Sequence, residues 1–132
     1  MTGTPFSLRT ALLVVIAVAL VGATLQATLL HYRGAFNNPL MFVPLTVPVF
    51  AIVMSVLAIV GPKESMLLVF TVSLWLTFLT GFVGLGMHLR GLGRQMGGLY
   101  VTIFNWLEGP PALSPALFTG FAAVGLITVY FL

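Results

Sequence analysis

The 132-residue chain has no cysteine and no aspartate, and its charge is limited to four arginines, one lysine and two glutamates. Without cysteine there is no disulfide, no thiolate metal site, no iron–sulfur ligation and no covalent haem attachment through Cys-x-x-Cys-His. Without aspartate, acid–base chemistry falls to Glu64 and Glu108, which the topology below places on opposite membrane faces, so no carboxylate pair is available. The serines lack a nucleophile-elbow context, and no phosphate loop or metalloprotease motif occurs. An enzyme acting on its own is therefore not expected. Five basic residues scattered over several segments do not form the clustered stripe that nucleic acid requires, so no nucleic-acid partner is expected either.

What the chain has instead is long apolar sequence. It is 60% hydrophobic and 5% charged, where a soluble domain carries about a quarter charged residues. The charges delimit four uncharged stretches, Thr10–Leu30, Pro39–Pro62, Ser65–Met87 and Pro111–Leu132. Each reaches the roughly 20 residues that a helix needs to cross the hydrocarbon, and lipid obliges such a segment to satisfy its backbone internally. The expected fold is an all-α integral membrane protein: one transmembrane domain over 1–132, with four transmembrane helices in a bundle at 9–31, 39–61, 65–89 and 111–132. The first stretch outlasts the roughly 7–15 residues of a signal-peptide core, so it is read as a retained span. A multi-pass protein of a bacterial inner membrane, solvated by the lipid bilayer, is the expected setting.

Local signals divide the chain further. Gly34 suits a helix stop, and Asn38-Pro39 has the form of an N-cap followed by proline at the first helical position. Pro44 and Pro48 are expected to remove backbone bonds inside the second helix and bend it. Glu64 or Ser65 is the expected cap of the third helix, and Ser114-Pro115 repeats the cap-then-proline form for the fourth. Gly81, Gly84 and Gly86 give the third helix a surface that another helix can approach closely. Between the third and fourth spans, 97–108 is too short to cross and carries Tyr100 and Trp106, the residues of a segment lying in the interface.

The most distinctive pattern is a duplication. His31-Tyr32-Arg33-Gly34 and His88-Leu89-Arg90-Gly91 both occur where an apolar run ends, and they hold the only two histidines. Each is followed by a connection and a proline-containing helix, so helices one–two and three–four read as parallel-repeat hairpins. An even number of crossings puts His31, Arg33, His88, Arg90, Arg94 and Glu108 on one side. Arg9, Lys63 and the amino terminus lie on the other, and this balance sets no orientation under the positive-inside rule.

Two readings of the histidine pair stand side by side. Histidine and arginine at helix C-termini offset the dipole and bond the last carbonyls, which is a purely structural role. Alternatively, His31 and His88 bind a cofactor, haem b or a quinone. They would be metal ligands where the ligand is a haem or chlorin, with Arg33 and Arg90 as cations near its propionates and Gln26, Tyr32 and Asn105 orienting the imidazoles. The function expected from the second reading is that of a membrane subunit in a larger electron-transfer assembly, partnered by other membrane subunits or by copies of itself. The rival is a small oligomeric transporter or channel. In helix number, length and weak charge bias the chain resembles the small multidrug transporters and small fluoride channels. It departs from both, having no acidic residue inside the first helix and no glycine-rich arginine motif.

Overall fold

The computed structural model describes residues 6–61, 63–97, 103–108 and 110–132. Its elements are α1 (Leu8–Arg33), a 3₁₀ turn (Pro39–Phe42) running into α2 (Val43–Val60), α3 (Glu64–Gln95), a short α4 (Ile103–Glu108) and α5 (Leu113–Phe131), with no strand among the described residues. Four of these helices are long and apolar enough to cross a membrane: α1, the turn with α2, α3 and α5.

The helix starts follow side-chain chemistry in part. The Ser7 hydroxyl accepts the Thr10 N–H at 3.1 Å, and Asn38 Oδ1 accepts the Leu40 N–H at 2.9 Å, so Asn38-Pro39 opens its element as the sequence suggests. Pro44 does not interrupt α2. It falls in the first turn, where its missing N–H has no intrahelical partner to lose, and Pro48 alone stands inside the helix. Neither Glu64 nor Ser65 caps α3; Lys63 takes the N-cap position without a side-chain bond, and Glu64 lies in the first turn, against the positive end of the helix dipole. At α5 the N-cap is Ala112, so Ser114 and Pro115 fall within its first turn rather than at its boundary.

The largest departure is the length of α3. The expected end near 89 gives way to a helix that continues to Gln95. Glycine in a helix interior costs only about 1 kcal/mol relative to alanine, so Gly91 and Gly93 weaken this stretch without ending it. Leu92, fully buried, supplies packing that holds the added turn in place. At 1.5 Å per residue α3 is about 48 Å long, well beyond the roughly 30 Å of a bilayer's hydrocarbon. Of the expected interfacial segment, 98–102 and 109 lie outside the described residues, Tyr100 among them. What is described is α4, with Trp106 and Leu107 exposed.

Contacts run from α1 to α2, α2 to α3, α3 to α5 and α5 back to α1, which leaves α1 and α3 opposite each other. Leu13, Ile16, Leu20, Phe70, Leu74 and Phe118 belong to the apolar core. Two hydroxyls tie neighbouring helices: Ser55 donates to the Leu13 carbonyl at 2.9 Å in a buried position, and Thr119 donates to the Phe78 carbonyl at 3.1 Å. The tightest approach is that of α3 to α5. A Cβ on Gly81 would stand 2.6 Å from the Thr119 nitrogen and 2.7 Å from the Pro115 oxygen, and one on Gly125 would stand 2.7 Å from the Leu74 side chain. Gly84 also faces Pro115, whereas Gly86 meets nothing within 4 Å.

These two kinds of glycine separate experimentally. Gly81→Ala puts a methyl group against backbone and is expected to cost about 1–3 kcal/mol. Gly86→Ala gains helix propensity in open space and is expected to stabilise by up to about 1 kcal/mol. Unfolding of the detergent-solubilised variants measures both, and equal effects of one sign would show that the α3–α5 contact is looser than described.

Candidate functional site

The two His-x-Arg-Gly segments fold differently. At the first, α1 stops. The Phe36 N–H bonds the His31 carbonyl at 3.1 Å, the Ala35 N–H bonds the Tyr32 carbonyl at 2.9 Å, and the Gly34 N–H bonds the Leu30 carbonyl at 3.2 Å. This is the paired backbone closure of a Schellman motif, in which the residue after the C-cap adopts a left-handed conformation. Here Gly34, at φ −80°, is the C-cap, and the left-handed residues are Ala35 (φ 56°) and Phe36 (φ 47°). Phe36 then stacks on Phe42 with ring centroids 4.7 Å apart, which holds the chain as it turns into the 3₁₀ segment. At the second segment no helix ends, because His88 lies inside α3. Thus backbone amides close the end of α1 without the His31 ring, and His88 has no helix terminus to cap.

Freed from capping, the rings meet. His31 and His88, from the two helices that stand opposite each other, have ring centroids 6.3 Å apart with planes at 66°. The Pro111 carbonyl, just ahead of α5, lies 3.1 Å from His88 Nδ1. A carbonyl can only accept, so Nδ1 carries the proton, and in the neutral ring Nε2 keeps its lone pair. His31 Nδ1 is buried with no hydrogen-bond partner, a condition that buried nitrogen in native structures rarely tolerates without an ion, water or ligand.

Both rings line a cavity of about 660 Å³. Its wall is largely apolar, drawn from Ala27 on α1, Val47 on α2, Val83 and Met87 on α3 and Phe118 on α5. Thr80, Asn38, Gln95 and Ser114 add isolated polar groups. Cavities of roughly 300–1,000 Å³ with apolar walls and a few convergent polar groups are the usual form of small-molecule sites. Along α3, Thr80, Gly84, His88, Gly91 and Gln95 follow one another at intervals of three or four residues and so share a helix face.

The other residues singled out by the sequence are placed unequally. Arg90 lines a second recess, of about 490 Å³, beside the cavity. Arg33 and Tyr32 are exposed and line neither space, and Gln26 is exposed outside both. The Asn105 side chain lies outside the described residues. Asn38, Thr80, Arg94, Gln95 and Ser114 line these spaces without having been assigned to the site from the sequence. Gln95 was signalled by its spacing of seven from His88, but that spacing carries meaning only once the helix continues past Arg90. No group of three or more histidine, aspartate or glutamate side chains suited to a metal ion occurs among the described residues. No family model, curated protein or solved structure matches the chain.

The left-handed alanine carries a prediction of its own. An L-residue pays about 1–2 kcal/mol for that conformation, which glycine avoids. Ala35→Gly is therefore expected to stabilise by about 1 kcal/mol and raise the thermal midpoint; a lowered midpoint would show that α1 ends in some other way.

Proposed function

We propose that the chain is a four-span membrane protein that holds a haem of the b type between His31 and His88, and that it serves as the membrane subunit of an electron-transfer assembly. The membrane part of this reading is supported by what the helices leave outside. In the four apolar windows only 22% to 39% of residues are buried within the protein, and Val18, Phe50, Leu68 and Phe82 are more than half exposed. In water such a surface drives aggregation; in lipid it is solvated.

The observation that carries the ligand is the meeting of the two rings. A haem would be held by these two imidazoles, His31 from α1 and His88 from α3, which line one cavity. Their ring centroids stand 6.3 Å apart. Two protein ligands alone make a poor metal site, and they suffice where the metal arrives in a macrocycle that supplies the other donors. His88 has the supporting bond expected of a ligand, one ring nitrogen donating to a carbonyl, which would leave its other nitrogen for a metal. When bound, such a group supplies one-electron redox chemistry. The protein's part is to hold both imidazoles, fix the His88 tautomer through Pro111 and surround the site with apolar side chains that exclude water.

A quinone, the other cofactor considered, finds one hydrogen-bonding imidazole nitrogen and an apolar pocket here, yet nothing in that chemistry calls for two imidazoles. The transporter alternative draws no support from the cavity, since no carboxylate lines it.

Protein purified from membranes, or titrated with hemin in detergent, is expected to show a Soret band. His88→Ala and His31→Ala should each lose or shift that band while circular dichroism stays helical. A colourless preparation that takes up no hemin would overturn the proposal, as would a band indifferent to both substitutions.

A further inference from the structure

The recess beside the cavity belongs to the same binding site and was not foreseen in full. It is lined by Asn38, Met87, Arg90, Gly91, Arg94 and Gln95, and four of these, Asn38, Met87, Gly91 and Gln95, also line the cavity. The two spaces therefore adjoin along one stretch of wall. Both are walled mainly by apolar atoms, and the recess adds Arg90 and Arg94, exposed and one turn apart on α3, together with Asn38 and Gln95. Like charges four residues apart on a helix repel each other, and an anion placed between them relieves that repulsion. The protein supplies no such anion. Glu64 is at the far end of α3, and neither it nor Glu108 forms an ion pair with Arg90 or Arg94 among the described residues.

We infer that Arg90 and Arg94, with Asn38 and Gln95 beside them, form an anion clamp that receives the charged end of an amphipathic ligand whose apolar body fills the cavity. This deepens the haem reading and rests on it as regards the ligand's body. The anion is either a pair of porphyrin propionates or the phosphate of a lipid headgroup, which share the chemistry that a guanidinium fork recognises. Arg33, assigned to this role from the sequence alone, gives way to Arg94, because Arg33, the last residue of α1, is exposed and lines neither space. By contrast, α3 continues and carries a second arginine one turn on.

The test compares hemin with hemin dimethyl ester, which has the same macrocycle without carboxylate charge, on the full chain in a neutral detergent. Wild type is expected to bind hemin at least tenfold more tightly than the ester. In Arg90→Gln/Arg94→Gln that preference should vanish through loss of hemin affinity, with affinity for the ester and the Soret position unchanged, since the imidazoles are untouched. Arg33→Gln, which removes an equal charge at the same end of the helices, should keep the preference; its loss there would mean diffuse attraction and would overturn the clamp. Equal binding of hemin and ester by wild type would overturn it too. If neither porphyrin binds, the haem reading fails and the clamp is judged on lipid. Native mass spectrometry with phosphatidic acid and phosphatidylcholine should then show retention of the first, lost in the double variant but not in Arg33→Gln. Equal retention of the two lipids would end the proposal.

Discussion

The backbone contact between α3 and α5 sets the geometry on which the site depends. With Gly81 against Thr119 and Pro115, and Gly125 against Leu74, the two helices approach closely over much of their shared length. In lipid there is no hydrophobic gain in pressing one apolar helix on another, so close packing and hydroxyl-to-carbonyl bonds such as Thr119 to Phe78 must supply the attraction. That approach brings the start of α5 alongside the later turns of α3, where Pro111 meets His88 and Pro110 packs on Gly91. The orientation of an imidazole is thus set by a contact several residues away, through rigid helix.

The packing of side chains shows where the cavity lies. Toward the ends of α1 and α3 remote from the histidines, and through the middle of the helices, Leu13, Ile16, Leu20, Phe70 and Leu74 fill the space between them. At the histidine end small residues, Ala27, Gly84, Gly91 and Ser114, stand in the cavity wall among larger ones such as Leu30, Met87 and Phe118.

Much of this architecture was legible in the residues. Charges at long intervals delimit the four long helices, and the small-residue surface of α3 is visible in Gly81 and Gly84. The boundaries were less legible because they depend on tertiary burial. Gly34 and Gly91 stand in the same four-residue pattern, yet one closes a helix and the other lies inside one. After Gly34 come two asparagines and a proline, which favour turns and N-caps; after Gly91 comes Leu92, which the fold buries completely. Only the second fact is invisible in sequence, and it moves the end of α3 by a turn and a half.

The capping role that histidines so placed would ordinarily fill has been taken over by other groups. At α1 the last carbonyls are closed by the amides of Gly34, Ala35 and Phe36, at the cost of holding alanine and phenylalanine in a conformation suited to glycine. At α3 the helix passes the histidine altogether. A sequence selected only to end two helices would place glycine at position 35 and would need no imidazole on either helix. Strain retained at one motif and helix continued through the other share one result: two imidazole rings that cap neither helix and meet at the wall of an apolar space. Because His88 is held by Pro111 and His31 is held by nothing described, the pair is unequal. A ligand entering between them would find one imidazole already set and would have to order the other.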